Sequence, residues 1–246
     1  MALPRFLAAD LDAISGSASL SPEETHHLTS VLRLRAGDEI AVFDGRGGEY
    51  RARIERVSRE GARLRLVEQL PSAPEPSVRL TLAQAVLKGE AMDDVVRDAT
   101  MLGVAAIEPL VTERTIARGV LSGRGADRWR RIAIASAKQC RRAVLPTIGA
   151  GVPFMNWVEH DSAAVRIMLV EPAASIPGHP PSVLRGDERP ESATLAVGPE
   201  GGWTGEEIDA AIRAGWVAIT LGRRTLRAVA VPIVAIAVLQ ALWGDL

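Results

Sequence analysis

Several residue types are scarce in this chain, and each scarcity closes off a class of chemistry. A single cysteine, Cys140, stands among 246 residues, so no internal disulfide can form. A disulfide-framed secreted domain is thereby excluded, and a reducing, cytoplasmic setting is expected. Four histidines beside that one cysteine show no zinc-ligand spacing, and no metal is expected. No charge-free apolar run reaches the about 18 residues of a spanning helix, and MALPRFLAAD lacks the basic and apolar regions of a signal peptide, so no membrane partner is expected. Neither a P-loop ending in Gly-Lys-Ser/Thr nor a Gly-x-Gly-x-x-Gly dinucleotide turn occurs. Lysine is almost missing: Lys88 and Lys138 are the only two, leaving 27 arginines among the 29 basic residues. Arginine suits phosphate and base recognition, but a nucleotide-composition bias in the gene explains the same excess. With a formal charge of −1, the whole chain makes no case for a polyanionic partner.

What is present is punctuated clearly. In TLAVGPEGGWTGEEIDAAIRAGW, Thr204 and Glu207 have the spacing of a capping box, and Trp203 and Ile208 stand where a hydrophobic staple closes. Ile208, Ala211 and Ile212 recur at helical spacing and Gly215 suits a left-handed stop, so a helix is expected from about residue 205. The preceding ATLAV suits a buried parallel strand. GPEGG is then the whole connection between them. One reading is a tight turn in which Gly198, Gly201 and Gly202 take positive φ. The other is a bare backbone that a ligand approaches at the C-terminal edge of a sheet. Glu200 would repel a phosphate, so that ligand should be uncharged or cationic.

Pro71, Pro74 and Pro76 make EQLPSAPEPSV the best candidate linker. Before it, Ser21, Pro22 and Glu24 mark a helix start, with Leu28, Val31 and Leu32 expected inward. EIAVFD, EYRARIERV and ARLRLVE, joined by short turns, suggest a small antiparallel barrel or sheet. Arg51 and Arg53 share one strand face, as do Arg63 and Arg65 on the next; a solvated outer face or an RNA-contacting surface both fit. After the linker, strands and helices alternate as in a parallel sheet covered by helices. Residues 171 to 192, with five prolines, interrupt the pattern as a long irregular loop. The last segment, VPIVAIAVLQALW, is apolar nearly all round and should be buried, partly against another subunit.

These segments together resemble a known family, the small-subunit (16S) ribosomal RNA methyltransferases acting on uridine N3, of the SPOUT class. The resemblance runs through HHLTSVLRLRAGDEI, LKGEAMDDVVRDATMLGV, PLVTERT, SAKQC, VGPEGGW and LGRRTLR, in that order. It implies an α/β fold: a PUA-like β-barrel over residues 1–72, an RNA-binding accessory domain, then a trefoil-knotted parallel-sheet methyltransferase domain over 76–246. It implies S-adenosylmethionine as cofactor, held by Leu169, Val170, Val197, Gly198, Glu200, Gly201, Gly202, Leu221, Gly222 and Leu226. Arg114 and Arg227 are the expected catalytic residues, since a guanidinium can stabilise the charge left on N3 and its carbonyls. Arg51, Arg53, Arg141 and Arg142 are the expected RNA contacts. Ribosomal RNA or the 30S particle is the implied partner, and a homodimer the implied assembly. The sequence departs from the family at three usual acids, here Met101, Lys138 and Val229. A weakened enzyme serving as an RNA-binding or assembly module is the alternative this motivates.

Overall fold

Two kinds of strand are written into the chain. In the first third, apolar and charged residues alternate, so each strand has one face for a core and one for solvent. Further on, the strands are apolar on both faces. The computed structural model describes residues 3–116, 124–186 and 188–246. It divides into two units: residues up to Glu75 together with Ile134–Leu145, and Pro76–Ala133 together with Pro146–Leu246.

The first unit holds a five-stranded sheet in the order β1-β3-β4-β5-β2. Its strands are β1 (Arg5–Leu7), β2 (Ser17–Leu20), β3 (Glu39–Phe43), β4 (Glu49–Val57) and β5 (Ala62–Gln69). All pairings are antiparallel except β1 with β3. Ala52, Ile54 and Leu64 point inward with Phe6, Leu28, Ile40 and Val42. Two register shifts interrupt β4 against β5, at Arg51/Ala52 and Ile54/Arg56. Helix α1 (Pro22–His26) starts at Ser21, whose side chain accepts from the Glu24 amide. Past His26 the winding changes to a π-helix over His27–Val31. That wider turn breaks the 3.6-residue stripe. Leu28 is buried, while Val31 and Leu32, expected inward, are 62% and 40% exposed.

Among the described residues, the second unit is built on parallel strands alone, in the order β12-β10-β11-β6-β7-β8 with β9 also on β7. They are β6 (Arg79–Ala85), β7 (Ala106–Val111), β8 (Thr147–Ile148), β9 (Val152–Pro153), β10 (Val165–Leu169), β11 (Ser192–Val197) and β12 (Val217–Ile219). Helices cover both faces. On one lie α2 (Ala91–Met101), the first part of α3 (Arg124–Cys140) and α6 (Val231–Trp243), through Val95, Trp129, Ile236 and Leu239. On the other lie α4 (Phe154–Trp157) and α5 (Gly205–Arg213), through Phe154, Ile208 and Ala211. Residues 134–140 of α3 count with the first unit. There Arg5 donates to the carbonyls of Ala137 (2.8 Å), Lys138 (3.2 Å) and Arg142 (3.3 Å), placing a cation at the helix C-terminus. Helix α6 buries Ala235, Ile236, Leu239 and Trp243 within the chain and leaves Val234 39% exposed.

Candidate cofactor site

Three neighbouring parallel strands end at one edge of the second sheet: β10 at Leu169, β11 at Val197 and β12 at Ile219. Open α/β sheets bind ligands at such C-terminal edges. The segments that follow, with Leu87 and Ala91 beyond β6, enclose a cavity of about 410 Å³. Its size lies in the about 300–1,000 Å³ range of small-molecule sites.

The GPEGG corner forms one wall, and its geometry decides between the two readings of its glycines. Only Gly202 has a positive φ, +67°; Gly198 and Gly201 do not. Their need for glycine is steric. A Cβ on Gly198 would lie 3.1 Å from Nε1 of Trp203, and one on Gly201 would lie 3.3 Å from Cβ of Arg114. At Gly202, a Cβ would come within 2.8 Å of Oε1 of Glu171. Each glycine therefore makes room for one large neighbour. Those neighbours hold the corner in turn: Trp203 Nε1 donates to the Leu169 carbonyl at 2.9 Å, tying β11's exit to the end of β10. One nitrogen of Arg114 donates to the carbonyls of Gly201 (2.7 Å) and Trp203 (3.2 Å).

The start of α5 is anchored as the capping chemistry requires. Thr204 accepts from the Glu207 amide at 3.2 Å and Glu207 accepts from the Thr204 amide at 2.8 Å. The second oxygen of Glu207, a buried carboxylate, accepts from the Glu113 amide at 2.9 Å, which fixes the Arg114 segment against the corner. Glu200 has a comparable use, accepting from the Lys88 amide at 3.0 Å.

Of the ten residues expected to hold a cofactor, Leu169, Val170, Val197, Gly198, Glu200, Gly202, Leu221 and Leu226 line the cavity, as does Arg227. Gly201 and Arg114 line instead a smaller cavity of about 250 Å³, whose walls share Val170, Glu171, Gly202 and Trp203 with the first. Gly222, at φ +103°, lines neither, and serves the backbone of its loop. The fold adds Glu171, Thr220, Arg224 and Val229 to the larger cavity. Glu171 was legible in the sequence only as the last letter of RIMLVE. At Val229, where the resembled family carries an acid, the wall is apolar and Arg227 has no carboxylate partner among the described residues.

The arginines expected to meet RNA fall into different environments. Arg51 pairs with Glu68 and Glu39, and Arg53 with Glu39 at 2.9 Å. Arg142 is 5% exposed and bonds both oxygens of Glu75, at 2.9 and 2.8 Å. Arg142 is thus already neutralised by a carboxylate whose side chain is 30% exposed. Arg141 is exposed, at φ +65° just past α3. Arg56 and Arg63, in contrast, are opposite one another across β4 and β5 at the register shift. Neither has an ion-pair partner among the described residues, and both line a groove with Ser19, Ser58 and the carboxylate residue Glu60. Like charges placed opposite in a ladder repel.

A two-sided parallel sheet with a ligand cavity where its strands end, following a small β domain, defines a class of enzyme scaffold. Residues 74–240 match the family model described as an RNA methyltransferase domain, and residues 20–67 the RNA methyltransferase PUA domain. A ribosomal RNA small subunit methyltransferase E of Synechocystis sp. is 35% identical over 97% of this chain and 77% of that protein. Its namesake in Mycobacterium tuberculosis is 31% identical over 92% of this chain and 88% of its own. The chain belongs to this family of small-subunit ribosomal RNA methyltransferases. Among solved structures, a methyltransferase of Legionella pneumophila with bound S-adenosylmethionine superposes at a TM-score of 0.87, with 30% identity and 98% of each chain covered. The methyltransferase E of Neisseria gonorrhoeae, bound to S-adenosylmethionine, gives 0.83 at 30% identity, again over 98% of each chain.

Proposed function

We propose that the protein binds S-adenosylmethionine in the 410 Å³ cavity and methylates N3 of a uridine in small-subunit ribosomal RNA. The observation that carries this reading is the character of the cavity wall. Leucine and valine side chains suit an adenine ring, and Glu200 suits a cationic group. The cofactor supplies an electrophilic methyl group on a sulfonium; the chain's own residues do the rest. Gly198 to Gly202 hold the wall open, Trp203 and Arg114 keep that corner rigid, and Leu221 to Leu226 close the opposite side. Arg227, exposed beside the cavity without an acidic partner, is the group free to stabilise negative charge developing on the uracil carbonyls. Arg114 already spends one nitrogen on the corner, so its main part is to position it.

RNA contact by the first unit is assigned to Arg56 and Arg63, with Arg141 as a further contact. A phosphate between Arg56 and Arg63 would relieve their repulsion, whereas Arg51 and Arg53 are already neutralised. Replacing Arg56 and Arg63 by alanine should weaken RNA binding and reduce the salt slope by about 0.7–0.9 for each phosphate no longer neutralised. The Arg51 and Arg53 pair should matter less in the same filter-binding series. The threaded path of the knot belongs to this proposal, supported by the β12-β10-β11-β6 order around the cavity. So does a homodimer, supported by Val234, which α6 leaves 39% exposed beside half-buried Ile233 and Val238.

The direct test is calorimetric titration with S-adenosylmethionine and its demethylated product, followed by transfer of labelled methyl to 30S particles and nucleoside analysis. Binding with 3-methyluridine as product is expected. Absence of binding to either ligand defeats the reading. Binding without transfer would favour the RNA-binding module, which the apolar Val229 wall motivates.

A further inference from the structure

The proposed reaction must dispose of the proton on uridine N3, and the residues assigned so far do not accept it. The inference that follows rests on that reading. A proton acceptor has to reach both the reacting nitrogen and the edge of the cofactor cavity. None of the four histidines lines either of the two adjoining cavities, nor does Tyr50, Cys140 or a lysine. Among the described residues, the carboxylates lining the larger cavity are Glu171 and Glu200. Glu200 is occupied by the Lys88 amide at 3.0 Å and is absent from the smaller cavity.

Glu171 differs on each count. It is exposed, and its carboxylate has no hydrogen bond or ion pair among the described residues. It also lines both cavities, the one with the proposed cofactor walls and the 250 Å³ one it shares with Arg114. Its position is set by backbone: it follows the end of β10 closely, its carbonyl accepts from the Ala174 amide at 3.0 Å, and its carboxylate lies over the bare Cα of Gly202. A side chain at 202 would displace it.

We propose that the 250 Å³ cavity seats the unstacked target base and that Glu171 is the catalytic residue accepting its N3 proton. The N3–H bond breaks and the proton moves to a carboxylate oxygen of Glu171. The electron pair left on N3 forms the new bond to the methyl carbon. The bond between that carbon and sulfur breaks with its pair kept by sulfur, which becomes a neutral thioether. Glu171 then returns its proton to water. Charge balances, since one carboxylate and one sulfonium are neutralised together. A base must leave its stack to reach such a recess, which is least costly in a single-stranded loop.

The test is Glu171→Gln in the full chain, which keeps shape and polarity but cannot take a proton. Single-turnover methylation of 30S particles should slow by about 100-fold or more. The calorimetric dissociation constant for S-adenosylmethionine should stay within about threefold, below 1 kcal/mol. The variant's rate should climb about tenfold per pH unit as hydroxide takes over, while the unaltered protein's rate stays nearly level between about pH 7 and 9. Glu171→Asp should recover part of the rate and the level profile. Among the described residues, the other charged groups lining these cavities are Arg114, Glu200, Arg224 and Arg227. Glu200→Gln is therefore the control, and it should show no such pH slope. An unchanged rate and profile in Glu171→Gln overturns the proposal, as does a loss explained wholly by weaker cofactor binding, or the slope appearing in Glu200→Gln instead. If the unaltered protein itself makes no 3-methyluridine, the underlying reading has failed and this one with it; that result is seen before any variant is measured.

Discussion

Two glycine-rich connections, GRGG in the first unit and GPEGG in the second, look alike in composition and use their glycines for different reasons. In the first, Gly45 and Gly47 have φ of +77° and +114°, and Asp44 accepts from the amides of Arg46 (2.7 Å) and Gly48 (2.9 Å). Glycine is there for backbone handedness, and the turn is tied besides to a distant segment: the Gly47 amide donates to the Ala143 carbonyl at 3.2 Å and the Gly45 carbonyl accepts from the Leu145 amide at 2.9 Å. In the second, two of three glycines have ordinary φ and are small because Trp203 and Arg114 lie against them. The partners that hold this corner come from β10's exit and from residue 114, far away in sequence. Both connections are thus braced from far along the chain, and they differ in which property of glycine each uses: the positive φ in the first, the missing side chain in the second.

Substitutions should separate the two. Trp203→Ala removes the brace and its bond to Leu169, and should destabilise the second unit by about 3–5 kcal/mol. A fall in that unit's melting transition checks this. Gly198→Val should leave a folded chain but push the indole off the Leu169 carbonyl. Its affinity for S-adenosylmethionine should fall by about 100-fold, close to 2.7 kcal/mol, by calorimetry. If affinity is unchanged, the corner is a turn and nothing more. Gly47→Ala should cost about 1–2 kcal/mol of stability through its backbone angle alone, with cofactor affinity untouched.

A third glycine sharpens the comparison by its smaller effect. Gly149 has no Cβ to strike the carboxylate of Glu108, whose pKa is raised from the ordinary 4.5 because burial disfavours its charged form. A raised folded value means the contribution favours the fold below the unfolded pKa and is lost as pH rises through the folded one. Glu108→Gln should therefore melt higher than the unaltered protein near pH 7, with the difference closing below about pH 4.5. Equal melting at both pH values would show that the carboxyl is adequately solvated.

The start of α5 was readable at the letter level, because Thr204, Glu207, Trp203 and Ile208 make a local motif whose partners lie within five residues. The order of apolar strands and helices after the linker was readable for the same reason. Strands β1 and β2, of three and four residues, were too short to carry a period. Val31 and Leu32 were placed inward by a helical stripe that the π turn breaks. Arg51 and Arg53 looked like free cations because Glu68 and Glu39 sit on neighbouring strands. Glu171 read as the end of a strand, since nothing beside it in sequence reveals that two cavities meet there.

By itself, then, the sequence settled what depends on near neighbours: caps, turns, strand character, the lack of a disulfide framework, and the motifs that mark the family. Only the tertiary structure decided which glycines are bare for handedness and which for packing, which arginines are already matched, and which carboxylate stands unclaimed beside the cavity. The physical reason is distance along the chain. Steric exclusion and charge pairing act through space, between residues up to about a hundred positions apart, and no local pattern records them.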